Sequence, residues 1–288
     1  MSAAAGQLRT DGEVVVNGLT AHYVEWGDPQ APPVVFLHGL RSYAETWEPI
    51  ASALADRYRC IALDHRGRGR SGWPADGDYS TAAYVRDVGA FVDALGLGEL
   101  LLVGHSMGGT NALVYAAEHP ERVRALVLED IGPGSSTGSD GAARIKGELA
   151  ATPRTFADAD AARAFWRSTR PGISAEALDS RMTYTLRPTP DGDLVWRYDL
   201  EGIAAARLDP DPTRFVDLWP PLLSLTCPVL VLRGANSDFL PAPVADEMVA
   251  RQPHVRLVVI PDAGHYVHDD NLAAFLPVLA GFLDEVPR

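Results

Sequence analysis

The chain has 288 residues, 47% of them hydrophobic, with 38 acidic against 25 basic side chains and a formal net charge of −13. That length supports one or two domains with a substantial core. The acidic surplus argues against a nucleic-acid face, which needs clustered Lys and Arg, and no run of about 18 apolar residues offers a membrane span.

The opening "MSAAAGQLRTDGEVVV" lacks the basic start and apolar stretch of a secretory signal. A cytoplasmic protein with a small-molecule substrate is the expectation, and nothing in the sequence indicates an oligomeric state. Cys60 and Cys227 each stand at the start of an apolar run and read as free thiols, since a chain this long does not need a disulfide staple. Two cysteines and scattered histidines offer no metal-site spacing, so neither a metal nor an organic cofactor is expected.

In chain order, "VVVNGLTAHYVEWG" predicts a hairpin of two strands, and "PPVVFLHG" a short buried strand ending in a loop. "WEPIASALADRY" has helical spacing, "RCIALDHRG" is another buried strand, and "STAAYVRDVGAFVDALG" opens on a Ser/Thr cap and continues as a helix. "LLVGHS", a helix through "NALVYAAEHP" and the strand "VRALVLED" follow. Buried strands alternating with helices predict a mostly parallel sheet with helices on both faces. After Gly132 the pattern changes. "GPGSSTGSDG" reads as flexible, and "DADAARAFWRS" and "SAEALDSRMTYTL" read as helices with no convincing buried strand among them. The buried-strand pattern returns at "CPVLVLRG" and "VRLVVIPDAGH", and "AAFLPVLAGFLDEV" closes the chain as a helix. The organisation expected is a core of residues 1–132 and 222–288, interrupted by a helical lid at 133–221.

The chemistry centres on "LVGHSMGG", which fits G-x-S-x-G between a strand and a helix. At such a nucleophile elbow a sharp turn pushes the serine hydroxyl out at the sheet edge. Gly104 and Gly108 fit because bulkier residues two positions either side of Ser106 would clash. An unactivated serine needs a base within reach. His265, on a Gly-containing turn after the last strand, is the candidate; His268, beside Asp269 and Asp270, is a weaker one and reads as a solvated neighbour. Attack on a carbonyl creates an oxyanion, which needs preorganised donors. The backbone amides of Leu40, in "FLHGLRS", and of Met107 are the candidates.

These motifs resemble the α/β-hydrolase family: "HG" at 38–39, "DHRGRGRSG" at 64–72, "GHSMGG" at 104–109, "HPERV" at 119–123 and "GH" at 264–265. The resemblance covers roughly residues 12–132 and 222–285. It implies the α/β-hydrolase fold and a Ser-His-acid triad. Asp64 and Arg66 read as loop-shaping rather than catalytic. Two acids compete to orient the histidine. In the family the acid usually follows the later strand, three residues after its glycine; counting from Gly234, that place holds Ser237, with Asp238 one residue beyond. Some relatives carry it after the earlier strand, where Asp130 stands, and Asp130 is preferred over Asp238. Glu129 would point to the opposite side of its strand.

Serine at the elbow sets the chain apart from dehalogenases and epoxide hydrolases, which carry aspartate there. An ester, lactone or amide hydrolase is the leading expectation. A carbon–carbon hydrolase or cofactor-free haloperoxidase on the same triad is the alternative, and a non-catalytic binding receptor the alternative of another class. Trp47, Trp166 and Trp196 are candidates to line an apolar cavity, though a plain core role fits each equally. "GHYVHDDN", "VLRGANSDFL" and "EDIGP…AARIK" resemble a subgroup that hydrolyses a small enamide diacid, 2-(acetamidomethylene)succinate. That resemblance implies an arginine near Arg144 gripping a substrate carboxylate, a pairing that guanidinium geometry favours.

Overall fold

The computed structural model describes residues 9–209 and 215–287. Its strands, in chain order, are β1 (Arg9–Val16), β2 (Leu19–Trp26), β3 (Pro33–Leu37), β4 (Arg59–Leu63), β5 (Leu100–His105), β6 (Val123–Glu129), β7 (Thr155–Phe156), β8 (Leu186–Pro188), β9 (Leu194–Trp196), β10 (Val229–Gly234) and β11 (Val255–Ile260). Its α-helices are α1 (Glu48–Leu54), α2 (Thr81–Ala94), α3 (Met107–Glu118), α4 (Ser135–Gly138), α5 (Asp140–Ala150), α6 (Ala159–Thr169), α7 (Ala175–Thr185), α8 (Leu200–Leu208), α9 (Trp219–Ser224), α10 (Ala242–Arg251), α11 (Val267–Asp270) and α12 (Leu272–Glu285).

Eight strands form one sheet in the order β1-β2-β4-β3-β5-β6-β10-β11. The β1–β2 pair is an antiparallel hairpin whose two-residue turn, Asn17–Gly18, has both residues at positive φ, as the twist of a tight hairpin demands. β2 runs antiparallel to β4, and the pairs from β4 through β11 are parallel. Every residue of β5 and of β10 is buried, because helices cover the sheet on both sides. Alternate residues therefore feed two separate cores. Val35, Leu37, Leu102, Leu126 and Leu128 pack on one face with α2 and α3 residues such as Phe91 and Leu113. Val34, Phe36, Val103, Val127 and Leu232 pack on the other with Trp47 and the α12 residues Phe275 and Leu279. Ser80 caps α2 as its sequence signal requires, its hydroxyl accepting from the Ala83 amide at 3.2 Å.

The chain between β6 and β10 carries α4 to α9 and also a small antiparallel sheet, β7-β9-β8. This corrects the reading of the segment as helical alone. These strands are two or three residues long, too short to leave a period in the sequence. They hold a third apolar cluster, in which Phe156, Trp166, Trp196 and Tyr198 meet Tyr79, Tyr84 and Met107 from the main body. Among the described residues, no helix is long and apolar enough to cross a membrane. Cys60 and Cys227 are unpaired.

Candidate active site

In an open parallel sheet, the loops leaving the carboxyl ends of adjacent strands share one crevice. Here that crevice receives His38 and Gly39 after β3, Ser106 after β5, Asp130 after β6, Ser237 after β10 and His265 after β11.

Ser106 sits between strand and helix with φ 52° and ψ −118°, a backbone conformation side chains rarely tolerate. The turn is tight enough to exclude any side chain at its flanks. A Cβ on Gly104 would lie 2.6 Å from the Gly108 carbonyl oxygen, and one on Gly108 would strike the Leu37 carbonyl of the neighbouring strand. The Ser106 amide donates to the Glu129 carbonyl at 3.0 Å, locking the elbow to β6.

From Ser106 a chain of short hydrogen bonds runs through two side chains. The Ser106 hydroxyl lies 2.9 Å from His265 Nε2, and His265 Nδ1 lies 2.8 Å from Asp130 Oδ2. All three residues are buried. This geometry fits an imidazole that donates Nδ1–H to the carboxylate and offers Nε2 to the serine. Asp130 also has positive φ, 51°. It accepts from the Ser237 hydroxyl at 2.5 Å and from the Gly234 amide at 3.3 Å. Burial raises the Asp130 carboxyl above its ordinary range, and those two donors oppose the rise. Burial, reinforced by the nearby Arg144 charge, holds His265 neutral, well below the usual histidine value.

The structure separates the two competing acids. Asp238 lies outside the chain of hydrogen bonds: its carboxylate takes a two-point grip from Arg144, at 2.7 Å from Nε and 2.9 Å from NH2. Arg144 also binds Glu148 at 2.7 Å. Two carboxylates thus occupy its guanidinium, and it is not among the residues lining the cavity at Ser106. The expectation of a free carboxylate-gripping Arg144 does not fit this arrangement. Nor does Trp47 line the cavity. It is buried, stacked at 4.6 Å on the ring of His268. Trp166 is likewise core, edge-on to Trp196 at 5.7 Å with the Arg181 guanidinium over its face. His268 is not a solvated neighbour: it is buried, with Nδ1 2.7 Å from Glu129 Oε1 and Nε2 3.1 Å from the Thr46 hydroxyl. Glu129 faces away from His265, as strand alternation requires. Asp64 and Arg66 shape their loop. Asp64 accepts from the Ala44 and Arg70 amides and from His22, and Arg66 forks onto Asp87.

Leu40 and Met107 line the same cavity as Ser106. Met107 is the first residue of α3, so its amide has no acceptor within that helix. The cavity encloses about 840 Å³ of atom-free space, part of it open to solvent, between the sheet edge, α5 and the end of α8. Sequence reasoning gave no role to three further residues. Ser237 tethers Asp130; counting from Gly234 had reached it, but only as the place of an absent acid. His105 donates from Nε2 to the His265 carbonyl at 2.8 Å, bracing the loop that carries His265. His38 binds the Gly39 carbonyl through Nδ1 at 2.8 Å and accepts the His65 amide at Nε2, fixing the loop before Leu40. The last two lie in the quoted "HG" and "GHS" motifs.

Residues 32–170 match the alpha/beta hydrolase fold family. A 2-(acetamidomethylene)succinate hydrolase of Mesorhizobium japonicum is 31% identical over 88% of this chain and 88% of its own length. The chain belongs to the α/β-hydrolase family. An esterase of Mycobacterium tuberculosis is 30% identical over 91% of this hydrolase and 85% of the relative. The crystal structure of an E-2-(acetamidomethylene)succinate hydrolase superposes with a TM-score of 0.86 at 28% identity, covering 96% of this chain and all of the other. Among the described residues, no cluster of three or more His, Cys, Asp or Glu side chains is arranged to hold a metal ion.

Proposed function

We propose that this α/β-hydrolase cleaves an ester or amide bond of a small substrate through an acyl-enzyme. Ser106 Oγ bonds to the substrate carbonyl carbon while its proton passes to His265 Nε2. Asp130 holds the imidazole in the tautomer that can accept the proton and stabilises the imidazolium that forms. The oxyanion rests on the Leu40 and Met107 amides. The carbon–heteroatom bond then breaks, and the leaving alcohol or amine takes the proton from His265. Water, deprotonated by the same imidazole, repeats the attack and releases the acid. No external oxidant, reductant or metal enters this balance.

The observation that carries the reading is the unbroken run from the Ser106 hydroxyl through His265 to Asp130, with contacts of 2.9 and 2.8 Å. The hydrolase activities in the names of both relatives agree with it. The test is covalent: a fluorophosphonate probe labels Ser106 in the folded protein, and Ser106→Ala removes both the label and the turnover of p-nitrophenyl butyrate. A folded wild-type protein that neither takes the label nor cleaves the ester contradicts the proposal and favours a binding protein on this scaffold.

A further inference from the structure

The cavity at Ser106 has an imbalance of charge. Its wall is largely apolar, with Leu40, Ile145, Leu149 and Phe239 on it, yet two cationic side chains join that wall: Lys146 from α5 and Arg207 from the last turn of α8. Neither forms a salt bridge with a carboxylate among the described residues. Lys146 Nζ lies 5.0 Å from the ring of Phe215. Arg207 Nε is buried without a hydrogen-bond partner.

A third cation lies against the same wall. Arg68 is fully buried. Its bonds go to the Leu40 and Arg66 carbonyls, the Tyr84 hydroxyl and the Met107 sulfur, and none goes to a carboxylate. Arg68 and Arg207 are close enough to repel, and burial with that repulsion depresses the Arg207 guanidinium below its ordinary value.

Scarcity of acids does not explain this, since the chain has thirteen more acidic than basic residues. Neighbouring arginines are matched: Arg41 to Glu148, Arg144 to Asp238, and Arg170 and Arg181 to Asp269. Arg68 is a buried charge without a counter-ion, and Arg207 and Lys146 are half-buried ones. Such charges are costly in proportion to their burial, and a ligand that brings the missing charge removes the cost when it binds.

We propose that the cavity selects an anionic substrate, an ester or amide whose acyl arm ends in a carboxylate. The reacting carbonyl lies at Ser106, and Arg207 and Lys146 hold the distal carboxylate. The guanidinium supplies planar paired donors and the ammonium a point charge. This rests on the hydrolase reading above and narrows its substrate class.

The test compares kcat/KM for mono-p-nitrophenyl glutarate with that for the neutral p-nitrophenyl butyrate. The wild-type protein prefers the anionic ester at least tenfold, and added salt weakens the preference. Arg207→Leu and Lys146→Leu each lower the ratio at least tenfold, and Lys146→Glu reverses it; thermal melts establish that each variant is folded. A wild-type ratio near one, or a ratio the folded variants leave unchanged, overturns the anionic subsite while Ser106 labelling and butyrate turnover still uphold the hydrolase. If neither ester turns over, calorimetric titration with glutarate decides the subsite alone. Binding that the Arg207 and Lys146 variants lose supports it, and no binding by the wild type overturns it.

Discussion

At the scale of single residues, what decides the site is which of two aspartates meets the imidazole. Asp130 and Asp238 differ in their partners more than in their positions. Asp130 bonds His265 from a fully buried position, whereas Asp238 is half-exposed and held by Arg144, which pulls its carboxyl below the usual range. Asp130→Asn leaves an amide that can present N–H where Nδ1–H must donate, so the wrong tautomer is favoured; a loss of roughly 10⁴-fold in kcat is expected from the equivalent change in serine-protease triads. Asp238→Asn leaves the run intact and should cost less than about tenfold, a small fraction of what loss of the orienting acid costs. Stopped-flow or steady-state ester hydrolysis on both folded variants checks the pair, and equal losses would mean that Asp238 takes part in the chemistry. The pH profile follows from the same geometry. His265 acts as a base only when neutral, and burial has lowered its affinity for protons. Activity should therefore persist below pH 6.5, the ordinary histidine value, and fall only as pH drops through the lowered one. An acid limb of kcat/KM at or above 6.5 would contradict that.

At the scale of elements, the segment between β6 and β10 is tied to the loop that carries His265. Arg170, at the end of α6, and Arg181, on α7, both bind Asp269 on α11, at 2.7 and 2.9 Å, and Arg170 lies 3.9 Å over the Tyr266 ring. Tyr266 directly follows His265. Burial alone would raise Asp269, but His268 and the two guanidiniums hold it far below its ordinary value, so the clasp is ionised. Removing one member of a buried ion cluster leaves the others uncompensated, typically at about 3–5 kcal/mol. Asp269→Asn should lower the urea midpoint accordingly, and limited proteolysis should cut residues 133–221 before the core; unchanged digestion would show that the clasp does not restrain the segment. The sequence disclosed part of this architecture. Runs such as "LLVGHS" and "VRALVLED" are legible because a strand buried on both faces must be apolar at nearly every position. Gly104 and Gly108 are legible because close backbone approach admits nothing else. The choice of partner for each arginine was not legible. Arg144 pairs with a residue 94 positions away and Arg170 with one 99 positions away, and no local pattern encodes such distances. Trp47 and Trp166 were open to both readings because a large aromatic ring suits a core and a cavity wall alike.

At the scale of the whole molecule, the buried histidines set how the fold responds to acid. His38 and His65 lie in loops around the Ser106 crevice and His105 is the last residue of β5; all three are buried. Burial lowers the first to about 4, the second well below its ordinary value and the third to about 3. Each is therefore neutral in the folded state where the unfolded chain, with an ordinary value near 6.5, has taken up a proton. The unfolded state binds more protons throughout that window, so stability rises with pH across it and is lost as pH falls below about 6.5. Each such histidine contributes a slope of about 1.4 kcal/mol per pH unit until its folded value is reached. His22 and His268 have the opposite sign. Burial alone would lower them, but Asp64 and Glu129 respectively carry both above 6.5, so their contribution is fully present in acid and declines only at higher pH. The two groups act in different windows and do not cancel between pH 6.5 and 4. Urea unfolding at a series of pH values should therefore show stability falling steeply on the acid side of 6.5. Replacing His65, whose two ring nitrogens have no hydrogen-bond partner, with Gln should flatten that fall by about 1.4 kcal/mol per pH unit. A slope that survives His65→Gln undiminished would place the acid sensitivity in the carboxylates instead.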